Sequence, residues 1–274
     1  MHPVSAQDLQ TPNTSLSKDR IDSISAQQNR IHSHSGPNAY EVRLARPDEL
    51  EQVFALRYDV FLSGNSMCNA LQTDIDQYDE HADHLVVTAQ DQIVATYRLM
   101  PVDRILRAGL LPYSSNEFDI TTLLESFCPS SAVELGRSCV HPAHRNGALP
   151  KLLWNALAKY MMHRGRTEAF GCVSVFNVTH EEAVGLVDLF KAQGSWSESV
   201  QCPPLQGLNY NAAQRSVAEM KALIPPLLRS YLMLGSKLYG GPSHDPVFRS
   251  HDFLIHFSTR TMTERCRRSF FSLN

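Results

Sequence analysis

The stretch Glu134-Leu-Gly-Arg137, continued by His141-Pro-Ala-His-Arg145-Asn146-Gly147, holds the residue types best suited to chemistry. A carboxylate at Glu134 could take a proton from an attacking amine, directly or through water. The Arg137 guanidinium could hold a substrate carboxylate or steady Glu134. A structural salt bridge explains the same pair equally well. Arg145 can meet a phosphate, and Gly147 lets backbone N–H groups approach one closely just ahead of a helix. Pro150 suits a first helical turn, where its missing N–H is not needed.

The elements around this stretch must position it. Val133, Leu135 and Val140 read as a buried strand, and Glu134, Gly136 and Arg137 interrupt it, which predicts a bulge or an opening in a sheet. From Leu149, the apolar residues Leu152, Leu153, Ala156, Leu157, Tyr160 and Met161 recur with the period of a helix that has one buried face. Phe170 to Phe176 reads as a second buried strand and Glu181 to Ala192 as a second helix, so the local order is α/β. Upstream, Tyr40 to Ala45 alternates as a half-buried strand, and Arg46-Pro47-Asp48 opens a helix carrying Leu50, Val53, Phe54 and Leu56. Arg57 on that helix is either a partner at the core edge or a ligand contact. His84 to Ala89 and Gln92 to Met100 predict a hairpin, and Ile120 to Phe127 a short helix. Residues 194–216 read as a long loop covering a pocket. Ile224-Pro-Pro introduces a helix ending near Gly235 or Gly240, Gly241 to Pro246 read as turn residues, and Asp252 to Phe257 as a late strand.

Composition narrows the function classes. A chain of 274 residues buries a core without staples, and 25 basic against 28 acidic residues give no electrostatic reason to expect nucleic acid as a partner. The six cysteines include no CxxC pair, so reduced thiols in a cytoplasmic protein are the simpler reading. The twelve histidines provide no HExxH, and the acidic run Asp74, Asp76, Asp79, Glu80 and Asp83 lacks the glycine and terminal glutamate of a calcium loop. No metal is expected. That run reads as a solvated loop or as a negative rim attracting a cationic substrate. Residues 1–38 are polar and read as a disordered leader, 39–258 as the folded domain, and 259–274 as a basic and aromatic tail. Arg260, Arg265, Arg267 and Arg268 beside Phe270 and Phe271 suit peripheral contact with the inner face of the cytoplasmic membrane, or a frayed terminus.

Further motifs extend the pattern. Tyr97-Arg98-Leu99, Tyr113 to Asp119, Glu134 to Pro142, Arg145-Asn-Gly147, Leu153-Trp154, Phe170 to Ser174, Ile224 to Tyr231, Gly235-Ser-Lys237 and Asp252-Phe-Leu254 together resemble the GNAT-like N-acyltransferases that make ornithine lipids. More distantly, the chain is similar to bacterial N-acyl amino acid synthases and acyl-homoserine lactone synthases. The resemblance implies a central mixed sheet flanked by helices and splayed at the strand carrying Glu134. It implies an acyl-phosphopantetheine thioester supplied by acyl carrier protein as cosubstrate, with no tightly bound cofactor. The acceptor would be the α-amine of ornithine and the product lyso-ornithine lipid. Glu134 would be the base and Arg137 its electrostatic neighbour. Val140, Arg145, Asn146 and Gly147 would meet the donor, and Arg57, Asp76, Asp79, Arg98 and Ser174 the acceptor. Another amine acceptor, or a protein that binds acyl carrier without catalysis, is the alternative reading.

Overall fold

A computed structural model describes residues 30–33, 40–63, 70–145, 149–246, 248–262 and 268 of the chain. Among these, one sheet of eight strands carries the fold, in the order β1-β2-β3-β4-β5-β6-β8-β7. The strands are β1 (Arg30–Ser33), β2 (Tyr40–Leu44), β3 (Asp83–Ala89), β4 (Gln92–Pro101), β5 (Ala132–Val140), β6 (Glu168–Phe176), β7 (Lys237–Asp245) and β8 (Ser250–Ser258). The helices are α1 (Leu50–Phe61), α2 (Val102–Arg107), α3 (Thr121–Glu125), α4 (Leu149–His163), α5 (His180–Ala192), α6 (Val217–Leu223) and α7 (Pro226–Met233). All neighbours in the sheet are antiparallel except β5 and β6, which α4 connects as a parallel pair.

Period-2 alternation assigns each strand two faces. Tyr97, Leu135, Val173 and Ile255 turn toward a core shared with Leu153, Trp154 and Leu157 of α4, Leu186 and Phe190 of α5, and Leu228 and Tyr231 of α7. On the opposite face, Phe170 and Leu254 pack with Val102, Phe118, Leu123 and Cys202, while Val53 and Phe54 of α1 cover Val86. The hairpin, the strand carrying Glu134, its helix and the second strand and helix stand where the sequence predicts them.

Several expectations change. The leader expected to be disordered contributes β1, which pairs with β2 from Arg30 opposite Arg43 to Ser33 opposite Glu41. The remainder of the leader lies outside the described residues, as do Gly64 to Asn69, Asn146, Gly147, Arg265, Arg267, Phe270 and Phe271. Gly241 to Pro246 is mostly strand rather than turn. Gly240-Gly-Pro242 is tolerated because β7 is the last strand of the sheet and its pairing with β8 shifts register on both sides of Gly240. Residues 194–216 do not cover the main cavity. They strap the second core, with Cys202 buried and its N–H donating to the Tyr239 carbonyl at 3.2 Å. Helix α6 was not anticipated, although Ser216-x-x-Glu219 forms a reciprocal capping box that the sequence displays.

Candidate active site

β5 and β6 pair only from Ala132–Glu168 to Glu134–Phe170, then diverge. At the last contact, a Cβ on Gly171 would stand 2.2 Å from the Leu135 carbonyl oxygen, so only glycine allows the two backbones to meet there before they part. On the other edge of β5, Gly136 pairs with Arg98 and Cys139 with Thr96, leaving Arg137 and Ser138 against Tyr97 alone. This is a bulge, and Arg137 takes φ +50° to make it. Left-handed backbone at a non-glycine residue costs about 1–3 kcal/mol and persists where surrounding contacts impose it.

A cavity of about 560 Å³ opens in the splay and passes through the sheet. Toward α4 and α7 its wall is apolar, formed by Leu135, Leu153, Trp154, Leu227, Tyr231 and Ile255. Tyr231 packs edge-on against Trp154 at 4.5 Å between ring centroids, and its hydroxyl is paired with that of Tyr97. Toward the opposite face the wall is polar, formed by Arg98, Tyr113, Arg137, Ser174, Asp245 and Asp252. Val140, His144, Arg145 and Pro150 complete the lining near the start of α4, and the exposed Arg145 directs Nε to the Val140 carbonyl at 3.1 Å.

The acidic run is not a solvated rim. Asp74 and Asp79 are buried and turned inward onto arginines. Arg57, with no exposed surface, donates from Nε to Asp74 at 2.8 Å and from Nη1 to Asp79 at 2.7 Å. Arg98 donates from Nη1 to Asp76 at 2.6 Å, and Arg137 from Nε to Asp74 at 3.0 Å. Burial works to raise the Asp79 carboxyl, but hydrogen bonds and charge from Arg57 and Arg98 overcome it and hold it below the usual range. These acids and Arg57 therefore frame the other two arginines rather than wait for a cation. Arg57, Asp76 and Asp79 are absent from the lining residues of the cavity, whereas Arg98, Arg137 and Ser174 are among them. Arg98 is 1% exposed, and its Nε and Nη2 have no hydrogen-bond partner among the described residues.

Glu134 is also off the wall. Its carboxylate accepts the Tyr113 N–H at 2.7 Å, the Ser114 N–H at 2.6 Å and the Ser114 hydroxyl at 2.5 Å. Burial raises its pKa, and those donors oppose the rise. Arg137 does not bond to it: the guanidinium lies over the Tyr113 ring at 5.2 Å and the Phe248 ring at 5.4 Å. Glu134 thus fixes the turn whose tyrosine packs on Arg137.

Sequence reasoning missed the opposite carboxylates. Asp245 and Asp252, distant from Glu117 in the chain, come together with it so that one oxygen of each lies within 4.8 Å of the others. Burial and the neighbouring acids push Glu117 up to about 8. Burial and Asp245 push Asp252 up to about 6 against hydrogen bonds from Ser174 and Ser250. Asp252-Phe-Leu254 was visible as a motif, but its alternation does not reveal which strand it faces. The sequence also hid a histidine group, in which His180 Nδ1 lies 2.8 Å from His251 Nε2 beside the His244 ring. Cys139 and Cys172 line the cavity without offering a thiolate: burial pushes Cys139 up to about 12 and raises Cys172 as well. Among the described residues, no helix is long and apolar enough to cross a membrane.

Comparison with known proteins follows the same lines. The model of the acetyltransferase (GNAT) domain matches residues 56–155, which run from α1 through the first half of α4. The L-ornithine N(alpha)-acyltransferase of Rhodobacter capsulatus is 32% identical over 257 residues, covering 85% of this chain and 95% of that protein. The protein of the same name from Rhizobium meliloti is 35% identical over 234 residues, covering 78% of each. Among solved structures, the AHL synthase LasI aligns with a TM-score of 0.48 at 13% identity, over 88% of this chain and 96% of that one.

Proposed function

The chain belongs to the L-ornithine N(alpha)-acyltransferase family of GNAT-like acyltransferases, and from that premise we propose its reaction: transfer of a long-chain 3-hydroxyacyl group from acyl carrier protein to the α-amine of ornithine, giving lyso-ornithine lipid. The observation that carries this reading is a cavity with an apolar wall on one side of the splayed sheet and a polar wall on the other. A thioester donor and an amino acid acceptor need such a pair of environments meeting at one point.

The acyl chain lies among Leu153, Trp154, Leu227 and Tyr231. Arg145, with Val140 beside it and Asn146 and Gly147 next to it in sequence, receives the phosphate of the pantetheine arm at the cavity mouth. The thioester carbonyl sits in the splay, where the bulge at Arg137 and Ser138 breaks strand pairing and frees backbone N–H groups for the developing oxyanion. The acceptor carboxylate meets the unpartnered N–H groups of Arg98, with Arg137 and Ser174 next to it. Arg57, Asp76 and Asp79 hold those arginines in place. Because the Glu134 carboxylate already accepts three hydrogen bonds away from the cavity, its part in this mechanism is to position Tyr113 and, through it, Arg137.

The test offers purified protein a long-chain 3-hydroxyacyl carrier protein, its unsubstituted analogue and the matching coenzyme A thioesters, each with a panel of amino acids, and reads N-acyl products by mass spectrometry. Ornithine-dependent product from the 3-hydroxyacyl carrier is expected. Product with a different amine replaces the acceptor, equal use of coenzyme A removes the carrier requirement, and carrier binding without any product refutes the catalytic assignment.

A further inference from the structure

We propose that Asp252 is the catalytic base, the carboxylate that takes the proton from the attacking amine. This rests on the N-acylation reading above but gives Asp252 a role that the resemblance to acyltransferases assigns to Glu134. Glu134 is 1% exposed, absent from the cavity lining and occupied by three donors, so an amine in the cavity has no open path to it. Asp252 lines the same cavity directly. It is the third residue of β8, opposite Ser174 of β6, at the level where β5 has already left β6 and the thioester carbonyl has room to enter. Ser250 donates to its Oδ1 at 3.0 Å, which fixes the orientation of the carboxylate. Asp245, the other carboxylate on the wall, is used by the turn between β7 and β8, where its Oδ1 accepts the Phe248 N–H at 3.0 Å.

The groups that set the charge of Asp252 come from every element around it. Asp245 from β7 raises its pKa, Glu117 lies close in the same group of acids, Arg137 from β5 lowers it, and the Cys172 thiol of β6 stays protonated beside it. With burial as the largest cause, the result is about 6, which leaves Asp252 ionised at neutral pH yet basic enough to accept a proton. The step balances without a further reactant. The neutral amine nitrogen attacks the thioester carbon and forms the C–N bond, and its surplus proton passes to a carboxylate oxygen of Asp252. The tetrahedral intermediate then expels the pantetheine sulfur with the C–S electron pair, and the proton moves from Asp252 to that thiolate, releasing amide and thiol.

The experiment compares Asp252→Asn, Asp252→Glu and wild-type protein, using acyl carrier thioester and whichever amine the wild type acylates, from pH 5 to 9 under saturating substrates. Circular dichroism and thermal melts confirm that each variant folds. Wild-type kcat should rise with pH through about 6 and level off above it, because the unprotonated carboxylate is the active form. Asp252→Asn should lose about 10²-fold or more in kcat together with that limb, with KM for the amine within about threefold. Asp252→Glu should restore part of the rate on a displaced limb. If Asp252→Asn does not fold, Asp245→Asn supplies the answer: removing the neighbouring charge should move the wild-type limb to lower pH. Near wild-type kcat in Asp252→Asn, a raised amine KM at unchanged kcat, or an unmoved limb in Asp245→Asn overturns the assignment. A wild type that acylates some amine other than ornithine refutes the acceptor while leaving the base under test; one that acylates none refutes both.

Discussion

Two groups of buried or half-buried carboxylates flank the polar half of the cavity, and they behave in opposite ways. Asp74 and Asp79 are bonded to Arg57, Arg98 and Arg137, and the Asp79 carboxyl lies below its usual range. Glu117 and Asp252 have no ion pair among the described residues, and their pKa values rise to about 8 and about 6. Burial acts in the same direction on Asp79, Glu117 and Asp252. The difference is the guanidinium within hydrogen-bond reach: Asp79 has one and is held as an anion in the framework, whereas Glu117 and Asp252 have none among the described residues and can exchange a proton near physiological pH.

The strongest way to break this contrast is to remove the cation from the first group. Arg57→Met leaves Asp74 and Asp79 buried without their main partner and should cost about 3–5 kcal/mol of unfolding free energy, read from urea denaturation midpoints. A loss below about 1 kcal/mol would show that the network contributes little to stability. Glu134→Gln comes next. One of its three donors would then face an amide N–H, so we expect a loss of about 1–3 kcal/mol. Its kcat should fall much less than that of Asp252→Asn; an equal fall in a folded variant would return the base to Glu134.

Glu117→Gln sharpens the other side. A raised carboxyl pKa means that the folded state holds a proton which the unfolded state has already lost. Wild-type stability should therefore fall relative to the variant as pH rises from about 4.5 to about 8, and the gap should stay constant above that. Thermal melts at pH 5, 7 and 9 test this, and a gap independent of pH would remove the contrast. The smallest effect is expected for Arg107→Ala. Its pair with Asp103 is a surface (i, i+4) contact with the arginine side chain 71% exposed, so the change should be below about 0.5 kcal/mol.

The pattern of elements was largely legible because it depends on near neighbours. The helical period from Leu149 to Met161 predicted α4, and the irregular triplet Glu134, Gly136 and Arg137 predicted the opening in β5. Local reading failed where local preference lost to pairing. Gly241-Pro242 looks like a turn by composition but continues β7, because an edge strand tolerates the missing donor. The acidic run from Asp74 to Asp83 looks solvated because sequence spacing does not show that Arg57, Arg98 and Arg137 converge on it.

By itself, then, the sequence determined the strands and helices around Glu134, the resemblance to acyltransferases and the residues offered to a phosphate. Those features follow from hydrophobic period, turn chemistry and motif, all written within short stretches. Tertiary structure decided which charged groups are framework and which face the cavity. Arg57 and Asp79 are 22 positions apart and Glu117 and Asp252 lie in different halves of the chain, yet each pair meets only after the sheet is assembled. The state of a buried carboxylate depends on what stands within a few ångströms of it, and that distance is set by the fold rather than by order along the chain.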